Sequence, residues 1–255
     1  MESYTDFSKW YDEFMEDVPY EEWCSYITEI LVKDGIKEGI VCELGAGTGN
    51  FTERLAKAGY DMIGIDNSLE MLTVAQEKRD LSEDEQIKNI MYLCQDMREF
   101  ELYGTVAAVV SVCDSINYIL EDEEVTEVFR LANNYLDPKG LLIFDFNTEY
   151  KYREVIGDSV IADNTDEASF IWDNYYDVDT RINEYEVTFF VPSEVEGLYR
   201  KFSEMHYQRG YTLDEMKAFI KKAGMIFVNA YDADGFGQVN EFSERIIVVA
   251  RESGK

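Results

Sequence analysis

The densest chemistry in the chain is the run Glu43-Leu44-Gly45-Ala46-Gly47-Thr48-Gly49, which stands between an apolar strand-like stretch, Ile40–Leu44, and a helical stretch, Phe51–Ala58. Glycines at such a junction let the backbone turn sharply and come close to a ligand. The helix that follows presents free N–H groups to an anion, either a phosphate or a carboxylate. Asp66 ends the next strand, about twenty residues after the loop, where an acid can accept hydrogen bonds from both hydroxyls of a ribose. Taken alone, Asp66 also reads as a cap for the following helix. Asp96, in Gln95-Asp96-Met97, follows the third strand; alone it reads equally as a solvated loop acid. The fourth strand ends in Ser111-Val112-Cys113-Asp114-Ser115-Ile116-Asn117-Tyr118. All four positions fall at the C-terminal ends of strands, where open parallel sheets bind ligands.

The loop separates two classes of nucleotide chemistry. Dinucleotide sites carry G-x-G-x-x-G. Here the third glycine comes one residue early and Asn50 takes its expected place. Further along, His206 is the only histidine and so the obvious candidate base. A structural histidine hydrogen-bonded within a sheet is the competing reading. Arg209 beside it is suited to grip a carboxylate or phosphate. His206, Arg209 and Asn117 form the candidate catalytic set. Tyr175, Tyr185 and Tyr207 suit a pocket wall, or simply good β structure.

The elements that must position these groups follow from periodicity. Trp10, Phe14, Tyr20, Trp23, Ile27, Ile30 and Leu31 mark the apolar face of one or two N-terminal helices, with Pro19 between them. Then strand, turn and helix alternate. Gly59 closes the first helix, Met62–Ile65 is a strand, and Ser68 caps a helix to about Lys78. Ser82-Glu83-Asp84-Glu85 has the form of a capping box. Ile90–Cys94 and Val106–Val112 are strands, Glu123–Tyr135 a helix, Pro138-Lys139-Gly140 a turn and Leu141–Phe146 a fifth strand. This alternation predicts an α/β fold, a parallel sheet with helices on both faces. Residues 151–209 lose the helical period. Their candidate strands are Ser159–Ala162, Ser169–Asp177, Ile182–Val191 and Gly197–Arg209, with turns at Asp177–Thr180 and Pro192-Ser193-Glu194. They read as an antiparallel β meander inserted into the α/β domain. The Thr212–Glu215 capping box opens a helix ended by Gly224, and Met225–Tyr231 and Arg245–Ala250 complete seven mostly parallel core strands. The predicted domains are thus 1–150 with 210–255 as a Rossmann-like core under an N-terminal helical cap, and 151–209 as the insertion.

Composition narrows the partners. With 255 residues, 46% of them hydrophobic, the chain can bury a sizeable core. Fifty-three acidic residues against 23 basic give a net charge of −30, a field that repels phosphate backbones and anionic lipid surfaces. No nucleic-acid or membrane partner is expected, and a cationic amine substrate would be attracted. Cys24, Cys42, Cys94 and Cys113 have no CxxC spacing, and three of them fall in apolar runs that read as buried strands. No disulfide and no metal site are expected. The start, Met1-Glu2-Ser3-Tyr4-Thr5-Asp6, is acidic and lacks the apolar stretch of a signal peptide, and the apolar runs are short, Ile246–Ala250 being typical. A reduced, cytoplasmic location is the expectation.

The G-x-G-x-G loop preceded by an acid resembles motif I of the class I S-adenosyl-L-methionine methyltransferases, and residues 40–150 resemble that core. Three further features are similar to the small-molecule branch that holds sugar N,N-dimethyltransferases and glycine N-methyltransferase-like proteins. They are Tyr11-Asp12 with Asp17-Val18-Pro19-Tyr20 and Trp23, then Asp145-Phe146-Asn147-Thr148, then His206-Tyr207-Gln208-Arg209-Gly210-Tyr211. The resemblance implies S-adenosyl-L-methionine as cofactor and S-adenosyl-L-homocysteine as product. It places Glu43, Gly45, Ala46, Gly47, Thr48 and Gly49 at the methionine end, and Asp66 on the ribose with Asn67 and Met71 near. It sets Gln95, Asp96 and Met97 about the adenine and Cys113 with its segment toward the transferred methyl. Tyr11 and Trp23 would close over the cofactor, or else pack as ordinary core. The Asn/Asp-Pro-Pro-aromatic motif of enzymes that methylate base or glutamine amines does not occur after the fourth strand.

Four functions stay in play. They are methyl transfer to a small-molecule amine, methyl transfer to a hydroxyl with His206 as base, nicotinamide-dependent oxidoreduction, and cofactor binding without turnover. The insertion is read as a substrate lid or as the surface of a homodimer.

Overall fold

The computed structural model describes residues 8–15, 18–165, 168–193, 195 and 197–255, with the side chain of Lys9 left out. The N-terminal stretch Met1–Asp6, Asp17 of the proline motif and Glu194 of the predicted turn lie outside the described residues.

Two helices, α1 (Ser8–Phe14) and α2 (Tyr20–Lys33), precede the sheet. Pro19 sits at the N-cap of α2, where its missing N–H costs nothing. The core then runs β1 (Ile40–Leu44), α3 (Asn50–Lys57), β2 (Asp61–Asp66), α4 (Leu69–Leu81), α5 (Glu85–Lys88), β3 (Met91–Cys94), β4 (Val106–Ser111), α6 (Asp122–Tyr135) and β5 (Leu136–Asn147). After the second sheet it resumes with α7 (Leu213–Lys222), β10 (Ile226–Asp232) and β11 (Arg245–Arg251). The seven strands are ordered β10-β11-β5-β4-β1-β2-β3. Six run in one direction; β11, antiparallel to both β5 and β10, runs against them. The chain leaves β1 for β2 on one side and returns to β4 on the other, so a crevice opens at the C-terminal ends of β1 and β4.

Alternation along each strand feeds two cores. Val41, Val110, Ile143 and Val249 pack with α2 and α3 on one face. Cys42, Val109, Leu142, Phe144 and Val248 pack with α6 and α7 on the other. The strands are therefore apolar on both sides, as buried parallel strands must be.

Three local expectations are corrected. Ser82 and Glu85 do not form a capping box. Asp84 caps α5 by accepting from the Gln86 N–H at 2.9 Å, and Ser82 Oγ accepts from the Asp84 N–H. The Pro138-Lys139-Gly140 turn is absorbed as an irregularity inside β5, with Lys139 at φ 68° and a register shift opposite Val106 and Ala108. Of the cysteines, only Cys42 is buried in a strand. Cys94 ends the edge strand β3 and is exposed, and Cys113 lies just past β4; Cys24, on α2, is also buried, and all four are free thiols.

The second sheet is antiparallel, ordered β6 (Val160–Asn164), β7 (Ser169–Asp177), β8 (Ile182–Pro192) and β9 (Tyr199–Arg209). Its inner face, with Tyr185, Val187, Phe189 and Val191, packs on Trp10, Tyr11 and Phe14 of α1. It is tied to the core through Asn117, which is fully buried. Asn117 Nδ2 donates to the carbonyls of Asn147 (2.9 Å) and Arg209 (2.7 Å), and its Oδ1 accepts from the Asn147 N–H (2.8 Å). All of its polar valences are spent on backbone, which makes it a structural joint. Among the described residues no helix is long and apolar enough to cross a membrane.

Asn117→Ala would leave three buried backbone groups unpaired. Each such group costs about 1–3 kcal/mol, so a loss on the order of 3 kcal/mol is expected. Urea unfolding should show a lower midpoint with an unchanged slope.

Candidate active site

The crevice at the β1/β4 switch deepens into a cavity of about 590 Å³, within the ordinary range for a small-molecule site. The glycine loop forms its floor. Gly45 and Ala46 donate their N–H groups to the Ile65 carbonyl at 2.8 and 2.9 Å, which stitches the loop to β2. Gly45 has φ 77°, and a Cβ there would stand 2.3 Å from Ser115 Oγ. Glycine is required at this point both for the backbone and for the approach of the Ser115 side chain.

Glu43, Gly45, Ala46, Gly47, Thr48, Asp66, Asn67, Met71, Gln95, Asp96, Met97, Cys113 and Tyr11 all line the cavity. Asp66 accepts from the Gly47 N–H (2.8 Å, Oδ2) and the Ser68 N–H (2.9 Å, Oδ1), so loop and acid hold each other. Burial raises its pKa against those two backbone donors. Ser68 caps α4, accepting from the Met71 N–H. Asp96 is gripped by the Arg98 guanidinium at 2.6–3.1 Å, which holds its carboxyl below the usual range. Glu43 is almost fully buried beneath the loop and accepts a hydrogen bond from Thr52 Oγ1. Burial pushes its carboxyl up to about 8.

Two members of the predicted cofactor set stand off the wall. Gly49, at φ 82°, starts α3, and a Cβ there would run into the Tyr92 hydroxyl. Its role is to admit Tyr92 beneath the loop. Trp23 is packed in the core, with the Arg245 guanidinium 5.2 Å from its ring centroid. Tyr20, one helical turn earlier, reaches the cavity instead.

The three catalytic candidates are also absent from the wall. Asn117 is the joint described above. Arg209 is held by Asp122 (2.7 Å), the Leu120 carbonyl (2.8 Å) and Glu215 (3.5 Å), which occupies its guanidinium within the protein. His206 is buried; its Nδ1 lies 3.1 Å from Tyr118 Oη and its ring stacks on Tyr185 at 4.8 Å. Burial lowers its pKa to about 4, so it is neutral at neutral pH. Tyr118, which does line the cavity, stands between His206 and the cavity. Tyr20, Glu70 and Arg98 are polar wall residues that sequence reading left without a role, and Ser115 and Tyr118 had one only as part of the segment after β4. Ser115 and Tyr118 lie in the segment after β4, and the steric need for glycine at position 45 is the signal that marks Ser115.

That segment is unusual in its backbone. Cys113 and Asp114 are consecutive non-glycine residues in the left-handed region, at φ 58° and 53°. Asp145 Oδ1 accepts from the Asp114 N–H at 2.8 Å, and its Oδ2 accepts from the Cys113 N–H at 3.2 Å. Arg245 then clamps Asp145 (2.7 Å) and Asp114 (2.5 Å) together.

Comparison with known proteins agrees with this geometry. Residues 41–140 match the family model described as a methyltransferase domain. A protein of Geobacillus sp. (strain WCH70), provisionally named as a methyltransferase, is 34% identical over 253 residues, covering 98% of this chain and 100% of its own. The solved S-adenosylmethionine-dependent methyltransferase of Clostridium acetobutylicum ATCC 824 superposes with a TM-score of 0.87 at 26% identity, covering 98% of this chain and 99% of its own. The sugar N-methyltransferase KedS8 of Streptoalloteichus sp ATCC 53650 shares the fold, with a TM-score of 0.76 at 16% identity over 95% of this chain and 93% of its own. The chain belongs to the S-adenosyl-L-methionine-dependent methyltransferases.

The cavity fits that cofactor. A glycine floor that a Cβ at position 45 would obstruct suits close backbone approach, and the Asp66 carboxylate borders the same cavity. Met71, Met97 and Ile119 offer apolar surface to a base. Asp66→Ala is expected to weaken cofactor binding about tenfold to a hundredfold, the value of hydrogen bonds to a charged group. Gly45→Ala should weaken it as well, and should also lower stability because Ser115 has to move. Calorimetric titration with S-adenosyl-L-homocysteine and thermal unfolding would read the two effects separately.

Proposed function

We propose that the protein transfers the methyl group to the nitrogen of a small-molecule amine. The observation that carries this reading is the placement of His206 behind Tyr118, off the cavity wall. His206 is screened from the cavity by Tyr118 and is held neutral with a pKa near 4. A hydroxyl acceptor needs a general base within hydrogen-bond reach, whereas a neutral amine already carries its lone pair. The wall between loop and second sheet offers hydroxyls from Tyr20, Ser115 and Tyr118, which suit orientation of an amine. The net charge of −30 favours approach of an ammonium, which gives its proton to solvent before the nitrogen attacks, and the shared fold with a sugar N-methyltransferase is consistent with an amino-sugar acceptor.

The mechanism asks little of the side chains. The bound cofactor supplies an electrophilic methyl on a sulfonium. The chain aligns acceptor and methyl and excludes water, and alignment alone is worth several kcal/mol of barrier. The end of β4, held in its left-handed turn by Asp145, sets where Cys113 and Ser115 stand against that line. Residues 151–209 bear on the acceptor side from behind the wall, where Tyr185 of the second sheet bonds the wall residue Tyr118 at 2.9 Å, and through that contact influence which acceptor fits.

A screen of amino sugars and simple amines with methyl-labelled cofactor tests the reading. His206→Ala should keep turnover of an amine acceptor within about tenfold of wild type. Loss of a true general base would cost about 10²–10⁴-fold. Labelling of hydroxyl acceptors alone, abolished in His206→Ala, would overturn the amine assignment.

A further inference from the structure

Glu43 is a buried carboxyl on the face of the sheet that also carries Asp66 of β2 and Asp145 of β5, the latter paired with Arg245. It follows Val41 on the side of β1 that packs against α2 and α3, between Gly64 of β2 and Val110 of β4. It is 1% exposed, yet it borders the cavity. Its hydrogen bond comes from a neutral hydroxyl, Thr52 on α3. The titratable groups that interact with it are Cys42 on β1, Tyr20 and Cys24 on α2, Asp66 on β2 and Tyr92 on β3. None of them is a cation, and Asp66 opposes a second negative charge. An anion so placed is nearly shut off from solvent and has no cation among the groups named.

We propose that Glu43 is a neutral acid in the free protein and becomes a carboxylate when S-adenosyl-L-methionine binds, so that it distinguishes cofactor from product by charge. The cofactor carries a net positive charge, from sulfonium and ammonium against one carboxylate. The product, having lost the sulfonium, carries none. In a site of low polarity a net cation stabilises the neighbouring anion, and Glu43 gives its proton to solvent. A neutral zwitterion gives far less stabilisation. Methyl transfer moves the positive charge from sulfur to the acceptor nitrogen; when the methylated ammonium gives up a proton or leaves, Glu43 takes a proton back from it or from solvent, and the attraction that held the ligand is gone. The free-state pKa near 8 agrees with the geometry.

The test is proton counting by calorimetry at pH 7, titrating cofactor or product into the intact chain in buffers of different ionisation enthalpy. A pKa near 8 implies release of about nine-tenths of a proton per cofactor bound. Product should release clearly less, and Glu43→Gln should abolish the difference. Wild-type affinity for the cofactor should rise about tenfold per pH unit below pH 8 and level off above it, while that of Glu43→Gln stays flat. Should Glu43→Gln fold poorly, infrared difference spectra of the wild type decide the matter. The carbonyl stretch of a protonated carboxyl should vanish on adding cofactor and persist on adding product. Tight cofactor binding without proton release, equal release by product, or release undiminished in a folded Glu43→Gln would each overturn the proposal.

Discussion

The buried carboxylate of Asp145 is the contact on which the geometry of the site depends. It stands near the end of β5, 2% exposed, and accepts from two successive N–H groups of the neighbouring strand's end. Those N–H groups converge only because Cys113 and Asp114 are both left-handed, a conformation costing about 1–2 kcal/mol per residue without compensation. Arg245 supplies the counter-charge that lets an acid remain at that depth, bridging Asp145 and Asp114 from the antiparallel strand β11. The bridge extends outward. Asp114 accepts from Gln208 Nε2 at 2.6 Å, Gln208 accepts from the Tyr152 hydroxyl at 2.9 Å, and that hydroxyl lies 3.0 Å from Asn147 Nδ2. One chain of hydrogen bonds thus joins β4, β5, β11 and the second sheet. The antiparallel β11 is needed as much for Arg245 as for closing the sheet.

A second constraint acts from the other side of the cavity. Asp12 of α1 accepts from Thr48 Oγ1 and Asn50 Nδ2 of the glycine loop and pairs with Lys78 of α4 at 2.8 Å. The same helix buries Trp10, Tyr11 and Phe14 against the second sheet. A short helix that makes a polar contact on one side and an apolar contact on the other transmits position between them. Glycine loop and second sheet therefore share one strut, although they are far apart in sequence.

Much of this was legible in the sequence, and the reason differs by element. Strands such as Val106–Ser111 and helices such as Leu213–Lys222 follow from local pattern, because period and capping are short-range properties. The glycine loop was legible because φ and steric closeness restrict the residue type directly. The roles of His206, Arg209 and Asn117 were not. Each is polar and lies near the right place in the chain, but whether a polar group faces a ligand or the protein depends on partners distant in sequence. Arg209 meets Asp122, and Asn117 meets Asn147 and Arg209. Choosing Tyr20 over Trp23 depends on the rotation of α2 about its axis, since both belong to the same apolar face. Ser82-Glu83-Asp84-Glu85 shows the opposite limit, where a motif offers two caps, Ser82 and Asp84, and the tertiary position of α5 decides.

The distribution of charge completes the physical picture. A chain with net −30 already favours cations at its surface, yet surface charge is screened within about 10 Å at ordinary ionic strength. What acts on a bound ligand is the charge within the cavity. There the acids are graded by their surroundings. Asp96 is neutralised by Arg98, Asp66 is held by backbone N–H groups, and Glu43 has only the Thr52 hydroxyl. Moving inward along the wall, each acid has weaker support for its ionised form. The site as a whole thus becomes more demanding of positive charge with depth. That gradient follows the order in which β1, β2 and β3 line the cavity, so the strand order of the sheet sets its direction.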